Sequence, residues 1–147
     1  MSHQSLTASK FYMKKCVQNA ESTILRKGSG ITAGKVIAEQ SFGFWTSLFD
    51  PHHYRLIGGS IIHCFINKPS NINRSSIAVK LNGIREFRNR VYHNEPICFQ
   101  GNSIDFTGVQ AIIQDIYEIL DWMDADLKGY VVYFDNINNE ISAVNNL

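Results

Sequence analysis

SSIAVKLNGIREFRNRVYHNEP, residues 75–96, is the stretch on which the reading of the fold turns. On a helix advancing about 100° per residue with Ile77 at zero, Leu81 falls at about 40°, Ile84 at about 340°, Phe87 at about 280° and Val91 at about 320°, which is one apolar stripe. Arg88 falls at about 20°, inside the stripe, whereas Tyr92, Arg85, Asn89 and His93 fan from about 60° to about 160° along its flank. An arginine in a buried stripe needs a counterpart, because leaving its charge uncompensated is costly. It therefore either pairs with a carboxylate such as Glu39 or Glu86 or faces a cleft that holds an anion. Pro96 closes the segment, since proline donates nothing to a helix ladder and pushes its predecessor out of helical angles. That places His93 in the last turn, where the helix dipole favours a cationic imidazole. The guanidinium forks of Arg88 and Arg90 suit phosphate oxygens, so the cluster points to phosphodiester chemistry. On one ideal helix, however, Arg88 and His93 point about 140° apart. Either the helix unwinds before His93, with Asn94 left-handed, or the site is assembled from two copies of the chain.

Working outward, the remaining segments also carry helical periodicity. Leu6 to Lys27 places Met13, Val17, Ala20 and Ile24 on one face, and Gly28 and Gly30 end it. Thr32 caps a second helix to about Phe49, whose buried side is Val36, Ile37, Phe44, Trp45 and Leu48; Ser41-Phe42-Gly43 lies inside it as a bend or close approach. Asp50 before Pro51 is an acidic cap followed by the one helical position where proline is welcome, which starts a third helix to about Phe65. Gly58 and Gly59 weaken it, and residues 67–76 read as a loop. Beyond the central helix, residues 97–101 connect to a fifth helix of about twenty residues, capped by Asn102 or Ser103. Its apolar face is Val109, Ile112, Ile113, Ile116, Ile119, Leu120 and Met123, and Asp105, Asp115, Glu118, Asp121, Asp124 and Asp126 form a solvated acidic outside. Gly129 breaks this helix, Tyr130 to Phe134 is a short strand or another helical turn, and residues 135–147 are a loosely held tail. The expected fold class is all-α, an up-and-down bundle of about five helices.

A length of 147 residues with 44% hydrophobic and 18% charged side chains fits a single globular domain over 1–147 and excludes a disordered chain. Cys16, Cys64 and Cys98 form no CxxC pair, and the longest apolar run, Leu56 to Ile66, is too short to span a bilayer. Both features lead us to expect a soluble, cytoplasmic protein with no membrane partner. His52, His53, His63 and Cys64 match no zinc spacing, so neither a metal nor a cofactor is expected. Net charge is +1, but residues 1–93 carry 13 Lys or Arg against 4 Asp or Glu, and residues 94–147 carry 1 against 9. Such asymmetry fits a basic face for a polyanion beside an acidic segment, or two halves that attract one another.

The spacing Arg88-Asn89-x-x-x-His93 resembles the R-x(4–6)-H motif of HEPN-domain ribonucleases, in which a polar residue, often Asn, follows the arginine. RNRVYHNEPI, residues 88–97, with AEQSFGFWTSLFDPHHY, residues 38–54, is similar to the abortive-infection (Abi-like) branch of that superfamily. The resemblance covers roughly Ile31 to Gly101. Members usually carry more helical chain ahead of the SFG segment, which suggests a minimal or split version of the fold, and many have a second histidine where this chain has Asn94.

The resemblance implies a HEPN-like bundle that dimerises through the motif helix, giving a composite site for metal-independent RNA cleavage in a bacterial toxin or antiviral defence system. The 2′-hydroxyl of RNA would attack the adjacent phosphate, leaving 2′,3′-cyclic phosphate and 5′-hydroxyl ends. Arg88, His93 and Asn89 would be catalytic: His93 as general base or acid, Arg88 on the phosphoryl oxygens, Asn89 orienting His93 or the phosphate. Arg85, Arg90 and Tyr92 would hold the RNA backbone or stack a base. The partners implied are RNA, a second copy of the chain and an antitoxin or other restraining protein. The alternative is a non-catalytic HEPN-like module that binds RNA or a protein.

Overall fold

Eight α-helices account for most of the described residues, 12–145, of the computed structural model. The chain groups into two compact units that divide between Ile61 and Ile62.

The first unit opens with α1 (Tyr12–Arg26); the part of the expected helix ahead of Tyr12 lies outside the described residues. Met13, Ala20 and Ile24 are buried, the face that the periodicity marks. The helix closes at Gly28, whose φ of 70° lets Gly28 N–H reach Leu25 O at 2.9 Å and Ser29 N–H reach Ile24 O at 3.2 Å. These two bonds satisfy carbonyls that a helix end leaves open. The expected helix from Thr32 to Phe49 is two helices instead, α2 (Ala33–Ala38) and α3 (Phe42–Ser47). Ser41 is the reason. Its Oγ accepts from Phe44 N–H at 3.3 Å and its backbone is extended, so it starts a new helix. The break turns Phe44 and Leu48 onto Met13, with Cys16, Val17, Ile57 and Ile61 packed around them.

Pro51 opens α4 (Pro51–Leu56) as expected, but Asp50 makes no side-chain cap bond and instead lies 3.8 Å from His53 Nδ1. His53 is buried, and its Nδ1 donates to Ser47 O at 2.9 Å. The helix stops at Leu56 because Gly58 and Gly59 take φ of 68° and 72°; a 3-10 helix (Ser60–Cys64) replaces the expected continuation.

In the second unit, Asn73 caps α5 (Arg74–Tyr92), accepting from Ser75 N–H at 2.8 Å and Ser76 N–H at 3.1 Å. Ile77 is fully buried and Leu81 nearly so, both on the expected stripe. After α5 the chain forms a hairpin, β1 (Phe99–Gln100) antiparallel to β2 (Ser103–Ile104), with Phe99 opposite Ile104. Gly101, φ 61°, occupies the first position of its two-residue turn. Asn102 and Ser103 therefore serve the hairpin rather than cap a helix, and α6 (Thr107–Met123) begins later. Phe106 is its N-cap residue, and Asp105 just ahead accepts from the Thr107 hydroxyl and, at 2.7 Å, from Thr107 N–H, bonds that hold this carboxyl below its ordinary range.

Helices α5 and α6 pack closely, and a Cβ added at Gly83 would sit 3.5 Å from Ile112 Cδ1. Lys80 of α5 bonds to Asp115, lies 3.0 Å from Glu118, and stands 5.8 Å over the Trp122 ring. The acidic outside of α6 is thus only partly a solvated face: Asp115 and Glu118 hold Lys80, Asp105 holds Thr107, and Asp124 caps the helix that follows. Burial by itself would pull Lys80 down, but its bonds to the two carboxylates prevail and hold the ammonium above its ordinary range. Bonds from Lys80 and Gln114 hold Glu118 below the ordinary carboxylate range. A depressed folded-state carboxyl stabilises fully above its unfolded value and loses that contribution as pH falls through the folded one. Urea denaturation at a series of pH values is therefore expected to show the parent losing more stability on acidification than Glu118→Gln does. Equal losses would mean that Glu118 adds nothing.

The chain ends with α7 (Ala125–Phe134), capped by Asp124, and α8 (Ile137–Asn145). Where residues 135–147 were expected to be a loose tail, α8 is capped by Asp135, which accepts from Ile137 N–H at 2.9 Å and from Tyr117 Oη–H, and Ile141 is buried. No helix is long and apolar enough to cross a membrane among the described residues.

Candidate functional site

The residues singled out by the motif occupy the C-terminal end of α5, and the way that helix ends decides their geometry. Asn94 is left-handed, with φ of 54°. Asn94 N–H reaches Val91 O at 3.1 Å and Glu95 N–H reaches Arg90 O at 2.9 Å, the same pair of bonds that closes α1 at Gly28. His93 still belongs to the helical ladder, because its N–H donates to Asn89 O at 2.9 Å. Unwinding ahead of His93 is therefore not how the chain brings its two best residues together. Arg88 and His93 keep the angular separation of about 140° that a regular helix imposes.

Exposure is where the motif departs most from the expected stripe. Arg88 is exposed and makes no hydrogen bond or ion pair among the described residues; Glu39, one suggested counterpart, pairs with Lys27 at 3.0 Å instead. The cause lies in the register of α5 on α6. Lys80 meets Asp115 and Glu118, and Gly83 approaches Ile112, so the two helices run antiparallel. Carried on at equal rise, this register sets Arg88 opposite Thr107, where α6 begins. From there to His93, α5 projects past its neighbour, and Val91, on the apolar stripe, is 48% exposed.

The six candidate residues divide accordingly. Arg88, Asn89 and His93 are exposed, as is Tyr92, whose ring meets the His93 imidazole edge to face at a centroid distance of 5.6 Å. Arg85 is half-buried farther back on the helix. Arg90 is already engaged: it donates to Pro96 O, and its Nε lies 3.5 Å from Glu95. Arg90 ties the chain after Asn94 back onto the helix. Glu95 and the Pro96 carbonyl, which the motif does not include, are its partners, and the spacing of five between Arg90 and Glu95 was the available signal.

Chemically, the arrangement offers a guanidinium free to take a phosphoryl group, an imidazole at a helix C-terminus and an aromatic face beside it. Cys64 and the neighbouring histidines form no cluster of three or more His, Cys, Asp or Glu side chains that could hold a metal ion among the described residues. No family model, curated protein or solved structure matches the chain.

Proposed function

We propose that the chain is a metal-independent endoribonuclease of the HEPN type, acting as a homodimer in which the overhanging ends of two α5 helices meet. One observation carries this reading most: Arg88 is exposed and unpaired among the described residues, on a helix end rigidly closed at Asn94. A charged side chain with no partner among the described residues is available to an anion. Because Arg88 and His93 diverge within one copy, pairing the Arg88 of one copy with the His93 of the other is the arrangement in which both reach one phosphate.

In that site the His93 imidazole takes the 2′-hydroxyl proton or protonates the leaving 5′-oxygen. Arg88 neutralises charge developing on the phosphoryl oxygens. Asn89, one turn before His93 on the same flank, holds the imidazole or the phosphate, while Tyr92 offers a stacking face to a base. Arg85 supports the RNA backbone, and Arg90 is left to closing the helix end. A restraining protein partner and a role in defence or toxicity belong to the same reading.

The test is turnover of an end-labelled single-stranded RNA in the presence of EDTA. Fragments ending in 2′,3′-cyclic phosphate and beginning with 5′-hydroxyl are expected. Retarded but intact RNA would return the chain to a non-catalytic binding module, and loss of cleavage on adding EDTA would end the metal-independent mechanism.

A further inference from the structure

The aromatic face of α7 is left open among the described residues of its unit. Tyr130, Tyr133 and Phe134 are 70%, 83% and 81% exposed, a concentration of apolar rings that soluble surfaces seldom leave open without use. Asp126, Gly129, Tyr130, Tyr133 and Phe134 line one open depression of about 690 Å³. Their spacing puts Asp126, Tyr130 and Tyr133 along one side of the helix, with Gly129 between them. A Cβ added at Gly129 would meet nothing within 4 Å, so the floor of the depression is backbone and open space. The Tyr133 and Phe134 rings stand at 87° to each other with centroids 5.0 Å apart, giving the depression two walls of different orientation.

Charge selects the occupant. Residues 94–147 carry nine carboxylates and a single basic residue, Lys128, and Asp124, Asp126 and Asp135 lie at the two ends of α7. RNA is repelled from such a surface. A second copy docked face to face about a two-fold axis would set the same carboxylates against themselves, which like charges oppose. A cation suits both parts of the site: aromatic faces attract ammonium and guanidinium groups, and Asp126 supplies the counter-charge at the rim.

We infer that the Asp126–Phe134 face of α7 docks a basic amphipathic helix of a partner protein, its apolar side on the tyrosine and phenylalanine rings and its lysine or arginine side chains against Asp126. The inference stands apart from the ribonuclease reading, since none of its residues belongs to the α5 motif.

Two synthetic helical peptides test it, sharing one leucine face but bearing either lysine and arginine or glutamate on the other, each titrated against the whole chain by fluorescence anisotropy. The cationic peptide is expected to bind at least about tenfold more tightly, and more weakly as salt rises. Asp126→Asn, Tyr133→Ser and Gly129→Leu, which fills the floor, are each expected to weaken it by about tenfold with unchanged circular dichroism and unchanged RNA cleavage. Equal binding of the two peptides, no binding of either, or indifference to all three substitutions overturns the proposal. So does self-association of the parent that Tyr133→Ser abolishes, because the occupant would then be another copy of this chain.

Discussion

Arg88→Ala and His93→Ala, each inactive alone, are expected to regain RNA cleavage when mixed and allowed to exchange subunits. Removing a general acid–base group or a phosphate clamp costs about 10²–10⁴ in rate, so each single variant should lie near the limit of detection. The mixture separates two geometries that single variants cannot. If one phosphate is gripped by Arg88 of one copy and His93 of the other, a mixed dimer carries one site missing both groups and one site with both. Half the dimers are mixed at equilibrium, so recovery should approach about a quarter of the parent rate. If both groups of a site come from the same copy, every site in the mixed dimer lacks one of them and no activity returns. The motif geometry favours the first outcome: His93 remains in the helical ladder, so the side chains diverge within one copy. Parent protein that cleaves RNA while the mixture stays inactive would retain the enzyme and discard the shared site.

The reach of sequence reasoning is clear when α5 is followed from end to end. Its start was hidden inside the stretch read as a loop, where Asn73 is the cap, yet Ile77 and Leu81 were legible as core because helical spacing names a face. Spacing does not say how far along that face a neighbour extends. Arg88 shares the stripe with Ile77, but α6 begins only at Thr107, so the same face is buried at one end and open at the other. That difference turned the expected buried arginine into an exposed one. Side-chain capping was the other blind spot. Ser41 split a helix, and α6 starts behind Phe106 rather than at Asn102 or Ser103, because a cap is chosen among nearby candidates by backbone geometry that composition does not reveal. Pro96 was a better guide, because proline's exclusion from helix acts locally; Asn94 is left-handed as one alternative supposed, but it closes the helix after His93 instead of unwinding it ahead of His93.

Ile77→Ala should be the most damaging single change to the second unit. Ile77 is fully buried, on the part of α5 that α6 covers, whereas exposed Val79 two residues on is 69% exposed. Truncating a buried isoleucine removes its transfer free energy and leaves a cavity, together about 2–5 kcal/mol, while Val79→Ala should stay within about 0.5 kcal/mol. Trp122 is buried in the same unit and Trp45 in the other unit is partly exposed, so a Trp45→Phe background makes indole fluorescence report on the second unit alone during urea denaturation. The comparison also bears on the site. Ile77 lies about three turns from the overhang that begins at Arg88, so its loss should lower the folded fraction without changing cleavage per folded molecule. A cost below about 1 kcal/mol would show that neighbouring side chains collapse into the space and that the α5–α6 contact is looser than the burial of Ile77 implies. A loss of cleavage in protein that remains fully folded would mean instead that the overhang depends on this contact for its position, and that the open end of α5 is set by the core beneath its beginning.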